Sequence, residues 1–397
     1  MYSKAFIPYG GYYSSPFVRW MGSLQNENSI ELGAATAKRW LASKNYEATM
    51  FDYLFLGKTV SQKHTFYTAP WAAALIGADR TTGLHVTQAC STSTTCVSLA
   101  AAGLETGNFN NSFCLMTDRM SNGPHSIWPN PNGPGGEVIS ENWVMENFAK
   151  DPYGKVAMIQ TAENVVKKAG NITKEECDDV AFRRYEQYLD ALANDREFQK
   201  RYMFSVEYKK SKKEVGIVES DEGVQPTSRE GLAKLKPVIE GGVLSFGSQT
   251  HPADGNCGII VTTKDKAQEL SSNKNIQIQV LSYGFDRAEK AHMAAAVVPS
   301  AMMALEKAGI GVNDLKAIKT HNPFVANDVH MAKEMGIDVM SFNNNGSSLI
   351  YGHPQGPTAG RGIIEMIEEL VILGGGYGLF AGCAAGDTGA ALVIKVS

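Results

Sequence analysis

Apolar and polar positions in the first 120 residues alternate between two periods. Short apolar runs at Ala5 to Pro8, Phe51 to Leu56, His85 to Gln88 and Ser112 to Thr117 predict strands. Between them, Ser29 to Ser43, Pro70 to Ile76 and Ser93 to Thr106 carry helical spacing, with Ala, Leu and Val on one side of the last. A second series begins near Ile276. Strands are predicted at Ile276 to Tyr283, Ala317 to Thr320, Tyr377 to Gly382 and Ala390 to Val396, and helices at Val297 to Ala308, Ala326 to Met335 and Ala359 to Leu373. Strands alternating with helices predict an α/β protein with a mainly parallel sheet and helices on its faces. The sequence of strand, turn and helix recurs in both halves, which points to a duplicated fold.

Between the halves the pattern changes. The prolines and glycines of Trp128-Pro129-Asn130-Pro131-Asn132-Gly133-Pro134-Gly135-Gly136 predict an irregular segment. Helices are expected from Val156 to Ala169 and from Thr173 to Ala193, followed by a polar stretch to Lys236. The expected division is therefore 1–120 for the first part of the amino-terminal half, 121–250 for an inserted cover, 251–275 for the return to that half, and 276–397 for the carboxy-terminal half.

Composition narrows the class. The 397 residues are 43% hydrophobic and 20% charged, with a formal net charge of −4; this fits an ordinary globular protein and argues against nucleic acid as a partner. The one basic run, Lys209-Lys210-Ser211-Lys212-Lys213, reads as a solvated loop, with contact to an anionic group as the functional alternative. No apolar stretch is long enough to span a bilayer, and Met1 to Ile7 runs straight into a strand, so a cytoplasmic protein away from membranes is expected. Six scattered cysteines without close pairs suggest neither a zinc ribbon nor a disulfide framework, and no metal site is expected.

Three turns carry the chemistry: Gln88-Ala89-Cys90-Ser91-Thr92, Gly352-His353-Pro354-Gln355-Gly356 and Gly382-Cys383-Ala384-Ala385-Gly386. Each sets a thiol or an imidazole among small residues, where a substrate can approach closely. One sulfur can attack and hold an acyl group, the imidazole can take its proton, and the second sulfur can move a proton at carbon. Cys90 stands where a strand hands over to a helix, and the partial positive charge of that helix start is expected to lower its pKa. Cys96, inside the helix, is assigned to packing.

These turns form part of a wider pattern. Asp118-Arg119-Met120 followed by Ser121-Asn122-Gly123-Pro124-His125, then Thr161-Ala162-Glu163-Asn164-Val165, Leu232-Ala233-Lys234-Leu235-Lys236-Pro237, the Asn345 to Gly360 segment around His353, and the Cys383 turn together resemble the thiolases, in thiolase order along almost the whole chain. The resemblance implies a duplicated five-layered α-β-α-β-α fold with an inserted loop domain that covers the active site and holds coenzyme A. It implies coenzyme A as a co-substrate with no permanently bound cofactor, and a homodimer or tetramer. Some thiolase relatives also need a small partner subunit of zinc-ribbon and OB-fold type.

By the same resemblance, Cys90 is the nucleophile, His353 activates it, and Cys383 exchanges a proton with the α-carbon. The string His321-Asn322-Pro323-Phe324 replaces the usual Asn-Glu-Ala-Phe and is similar to the sterol-carrier-type thiolases; His321 becomes a fourth catalytic candidate, donating to the thioester oxyanion. Asn322 in place of glutamate leaves the tuning of Cys383 open. Asp387 beside that turn would raise the Cys383 pKa if close, or else face away as a turn cap. Thr250, in Gly247 to Gly255, stands where a serine meets the pantetheine arm, and Ser228, Met158 and Phe324 are the other residues expected to bind coenzyme A. His251 in place of glycine, and Ala157 in place of a frequent histidine, point to an unusual substrate. A decarboxylating ketosynthase or hydroxymethylglutaryl-CoA synthase shares the fold and is one alternative; a non-catalytic thiolase-like binding subunit is another.

Overall fold

The computed structural model describes residues 1–397. Its main sheet has eleven strands, nine of them on one path. Along that path the order is Leu315–His321, Gly376–Ala384, Thr388–Val396, Ile278–Arg287, Phe6–Ile7, Ala253–Thr262, Asn111–Arg119, Tyr53–Gly57 and Thr82–Val86. Counted in chain order within each half, with the number 3 kept for a strand absent from the carboxy-terminal half, this is 2-4-5-1 for the four carboxy-terminal strands and, read inward from the other edge, 3-2-4-5-1 for the five amino-terminal ones. The duplication is thus visible in the topology, except that turns occupy residues 336–347, where a third carboxy-terminal strand would stand.

The sheet is not mainly parallel. Only Tyr53–Gly57 with its two neighbours and Leu315–His321 with Gly376–Ala384 pair in parallel. Ala253–Thr262 and Thr388–Val396 run against their neighbours, the latter because a tight turn joins it to the strand before it. Hydrophobic periodicity is the same for either direction of pairing, so it could not reveal this.

Alternation along the strands builds five layers. Leu54, Leu56, Phe113, Leu115 and Ile260 face outward onto Trp40, Leu41, Ala72 and Ala73 of the helices Ser29–Ser43 and Thr68–Ile76. Phe55, Cys114, Met116, Ile259 and Val261 point inward to the helices Thr92–Thr106 and Gly356–Ile372. Phe380, Leu392 and Ile394 close that central layer from the other side. Leu379, Ala381, Ala391 and Val393 face the outer helices Val297–Ala308 and Val325–Met335. Burying a large aliphatic side chain contributes about 1.5–3 kcal/mol, so the central cluster of 31 buried residues is the main stabiliser. It also holds together the two helices that begin beside Cys90 and His353.

The cover is more regular than its composition suggests. Trp128 and Pro129 lie in the strand His125–Pro129, paired with Val138–Asn142. Proline is tolerated there because the ribbon has only two strands and its edges are open. The helix expected to end at Ala193 does break there: Ala193 to Arg196 leave helical dihedrals, and a second helical piece follows to Lys200. The lysine run turns the hairpin between Val206–Lys209 and Val215–Val218, and Lys210 there pairs with Glu214 across 2.7 Å of exposed surface.

Buried polar clamps fix the cover to the layers. Arg361, in the central helix, makes two bonds to Asp221 at 2.6 and 2.9 Å and one to Glu365 at 2.9 Å, and Glu365 also accepts from Lys319 at 3.0 Å. The Thr161 to Val165 string clamps in a similar way. Glu163 accepts from Val243 N and Leu244 N at 2.9 and 2.7 Å, while Asn164 donates to Ala291 O at 2.9 Å. Removing one partner of such a buried network costs far more than the network contributes, because the other charge is stranded.

Candidate active site

Cys90 sits in a strained elbow. The strand Thr82–Val86 ends, Ala89 takes φ +43°, a short 3-10 turn spans Ala89–Ser91, and the helix Thr92–Thr106 begins. The Thr92 hydroxyl holds the elbow, accepting from Gln88 N at 2.9 Å and donating to Ala89 O at 2.7 Å. A positive φ in a residue with a side chain is costly, and here it aims the sulfur at the other half of the molecule.

His353 arrives from that half. Gly352 has φ +94°, and a Cβ there would come within 2.7 Å of the His251 ring, so the turn depends on glycine. The His353 Nε2 lies 3.1 Å from Cys90 Sγ, and its Nδ1 lies 2.6 Å from Thr358 Oγ1. For Nε2 to take the thiol proton, Nδ1–H must donate to Thr358. Gln355, at φ +64°, places Oε1 3.4 Å from Cys90 Sγ as a second acceptor for the thiol. Asp118 secures this turn: it accepts from Gly356 N at 2.9 Å and also from Val60 N and from the backbone and hydroxyl of Thr59.

His321 and Cys383 lie just behind the cavity wall. His321 ends its strand, stacks on His353 with ring centroids 4.1 Å apart, and bonds through Nδ1 to Ser348 Oγ at 2.8 Å. Its Nε2 is buried without a partner. One ligating atom from each of Cys90, His321 and His353 falls within 4.8 Å of the others. Cys383 ends the neighbouring strand, fully buried, with its Sγ 3.2 Å from Asn327 Nδ2. Asn322 is engaged elsewhere, donating to Asp328 and Ser347 and accepting from Ser348 and Leu349. Asp387 accepts from Ala291 N at 2.9 Å and adds only a small upward push on Cys383.

The electrostatics correct one expectation. Burial pushes the Cys90 thiol up to about 12, against smaller downward pulls from the N–H groups of Ala385 and Cys90 itself. Desolvation outweighs the helix start, which lies two residues further on, past the 3-10 turn. His353 is held well below its ordinary value, first by burial and then by the neighbouring His321 and His251, and burial brings His321 down to about 3. Burial also raises Cys383, helped by Cys90 and opposed by Asn327.

A cavity of about 850 Å³ opens onto Cys90, His353 and Gln355. Met158, Thr250 and Phe324 line it, and so do His251 and Ala157. Ser228 does not: its hydroxyl caps the helix Arg229–Lys234 by accepting from Gly231 N at 3.0 Å, and the wall at that point is made by Gln225 and Thr227. Thr250 donates its hydroxyl to Ser348 O at 2.5 Å. Trp20, Met120, Trp143, Val144 and Phe148 form one packed apolar group on the wall. Gln355, Thr358, Ser348 and Asn327 were not singled out by sequence reasoning; only the positions of Gln355 and Thr358 in the turn after His353 gave any signal.

Comparison with known proteins agrees with this geometry. Residues 11–265 match the family model described as "Thiolase, N-terminal domain", and residues 274–396 match "Thiolase, C-terminal domain". The probable acetyl-CoA acetyltransferase of Mycobacterium leprae is 27% identical over 395 residues, covering 96% of this chain and 97% of its own. The mitochondrial 3-ketoacyl-CoA thiolase of Homo sapiens is 25% identical over 387 residues, covering 96% of each. The crystal structure of the Bacillus anthracis acetyl-CoA acetyltransferase matches with a TM-score of 0.90 at 25% identity, covering 100% of this chain and 99% of that one. Human mitochondrial 3-ketoacyl-CoA thiolase in complex with CoA shares the fold, with a TM-score of 0.89 at 24% identity over 99% and 98% of the two chains.

Proposed function

The chain belongs to the thiolase family, and we propose that it is an acyltransferase that cleaves a 3-oxoacyl-CoA with coenzyme A, or runs the reverse Claisen condensation, through a thioester on Cys90. The observation that carries this reading is the 3.1 Å approach of His353 Nε2 to Cys90 Sγ at the floor of the cavity. In cleavage, His353 takes the thiol proton as the sulfur attacks the ketone carbon. The Cα–Cβ bond then breaks, and Cys383 protonates the departing carbon. Coenzyme A next gives its thiol proton to the Cys383 thiolate and attacks the acyl-Cys90 thioester; the pair of the broken C–S bond returns to the Cys90 sulfur, which takes its proton back from His353. His321 is the donor proposed for the oxyanion at each carbonyl.

The Cys90, His321 and His353 trio alone would also suit decarboxylating condensation. Cys383, held against Asn327 beside the same site, supports thiolysis instead. The His-Asn-Pro-Phe string supports a place near the sterol-carrier-type members, and the packed apolar group of Trp20, Met120, Trp143, Val144 and Phe148 supports an apolar acyl chain. Met158, Thr250 and Phe324 are the proposed contacts for the pantetheine arm. A homodimer or tetramer is part of the proposal, supported by Leu84 standing 46% exposed on the open edge strand Thr82–Val86. A reducing, cytoplasmic setting is supported by six free thiols.

The test is intact-mass spectrometry after exposure to a panel of 3-oxoacyl-CoAs. The expected result is an acyl adduct on Cys90 that is absent from Cys90→Ser and discharged by coenzyme A. No adduct from any member of the panel, or an adduct that persists in Cys90→Ser, overturns the reading.

A further inference from the structure

The proton-transfer thiol stands in an unfavourable place. Cys383 is wholly buried, and burial alone makes its thiolate costly. Asp387, from its own turn, opposes a second negative charge there, while Cys90 from the amino-terminal half faces it as a neutral thiol at rest and a neutral thioester when acylated. The side chain that sequence comparison would place in charge of this cysteine does not reach it, because all the hydrogen-bonding capacity of Asn322 is spent on Asp328, Ser347, Ser348 and Leu349. Those contacts hold the turn that carries Ser348, and through Ser348 they hold His321.

Asn327 takes a different position. It lies in the first turn of the helix Val325–Met335, 1% exposed, with Nδ2 3.2 Å from Cys383 Sγ. Its Oδ1 is buried with no partner at all. A buried amide oxygen left unpaired costs free energy, so packing alone gives no reason for an amide here. The next residue, Asp328, shows what a purely structural polar group looks like in this helix: it bonds to Arg184, Thr320, Asn322 and Asn343 and is fully paired.

We propose that Asn327 is a positioning residue for proton transfer at carbon, holding the Cys383 sulfur toward the α-carbon and stabilising its thiolate through the amide N–H. The thiolate removes the α-proton of an acyl-CoA, and the C–H electron pair becomes the enolate. In condensation that enolate carbon attacks the carbonyl of acyl-Cys90, forming the new C–C bond as the C–S bond breaks and its pair returns to the Cys90 sulfur. An N–H donor aimed at the sulfur favours the charged state that burial and Asp387 resist. The unpaired Oδ1 fits the same role, since the amide is placed for the sulfur rather than for its own full pairing.

The inference rests on Cys383 as the acid-base group, and the experiment separates the two claims. Exchange of the α-protons of acetyl-CoA into deuterated buffer is followed by mass spectrometry across a range of pH, for the wild type and for Asn327→Leu, Asn327→Asp and Cys383→Ala. Acylation of Cys90 by the same acyl-CoA is measured in parallel, and a thermal melt checks each fold. Asn327→Leu, similar in volume but without a donor, is expected to slow exchange by roughly 10- to 100-fold, the size expected for one hydrogen bond to a charged group. Its pH profile should shift to higher pH, while Cys90 acylation changes by less than about twofold, because Asn327 makes no contact with Cys90. Asn327→Asp should exchange more slowly still, since a carboxylate would face the thiolate; a residue needed only for shape would tolerate the isosteric Asp better than Leu. Wild-type exchange with an unshifted profile in Asn327→Leu overturns the proposal, as does an equal loss of exchange and Cys90 acylation. Undiminished exchange in Cys383→Ala removes the premise instead, by showing that another group takes the proton.

Discussion

His321 and His353 lie ring against ring, with centroids 4.1 Å apart and planes inclined at 31°, so a proton gained by one disfavours a proton on the other. This divides their roles. His353 faces Cys90, where the proposed base is needed, whereas His321, bonded at Nδ1 to Ser348 at 2.8 Å, has its Nε2 left over for the proposed oxyanion contact. Ser348 has one hydroxyl proton for its two neighbours, His321 Nδ1 at 2.8 Å and Asn322 Oδ1 at 3.3 Å, so for Nε2 to act as a donor that proton must turn from Asn322 to His321 Nδ1. His321→Ala is therefore expected to lower turnover by roughly 10²–10³-fold, the loss seen when one oxyanion donor is removed. Coenzyme A binding should change much less, because the donor matters where charge develops. His321→Asn should recover part of the rate. Weakened coenzyme A binding in His321→Ala, with turnover at saturation intact, would make His321 a packing residue.

The resting state of Cys90 follows from two shifts in opposite directions. A thiol pushed up to about 12 keeps its proton at neutral pH, and an imidazole held well below its ordinary value does not take one. These directions predict an uncharged thiol and imidazole at pH 7, with the proton moving only as the sulfur attacks. Absorbance near 240 nm should therefore show no thiolate difference between the wild type and Cys90→Ser at pH 7. Alkylation of Cys90 should accelerate steadily with pH rather than level off near neutrality. A full thiolate difference at pH 7 would mean an ion pair and reverse this assignment.

What could be read along the chain was whatever local chemistry decides. The helices Ser29–Ser43 and Val297–Ala308 were expected from apolar spacing, and the structure shows the caps that fix their ends: Asn28 accepts from Ile30 N and Glu31 N, and Gly309 is left-handed. The reactive turns stood out for a similar reason, since small residues around Cys90, His353 and Cys383 are a local signal. The central strand Ala253–Thr262 was missed. All ten of its residues are buried, yet it carries Asp254, Gly255, Asn256 and Gly258, which read as a turn. A Cβ at Gly258 would come within 2.5 Å of the Tyr13 ring, so glycine is needed there for close packing and not for bending. The contacts of Gln355 to Cys90 and of Asn327 to Cys383 were hidden for another reason. They join positions 265 and 56 residues apart, and only the fold brings those together.

Asp118 tests whether the site is assembled from both halves. It belongs to the amino-terminal strand Asn111–Arg119, yet its carboxylate accepts from Gly356 N at 2.9 Å at the start of the helix behind His353, as well as from Thr59 and Val60. An amide in its place would turn an NH₂ group toward backbone donors that have no other partner. Leaving one buried donor unpaired costs about 1–3 kcal/mol, so Asp118→Asn is expected to lower unfolding stability by at least that range in a denaturant titration. It should also slow acylation of Cys90, because Gln355 and His353 sit on the turn that Asp118 anchors. Loss of stability with unchanged acylation would show that the turn keeps its geometry without the anchor, and that Asp118 serves the fold alone.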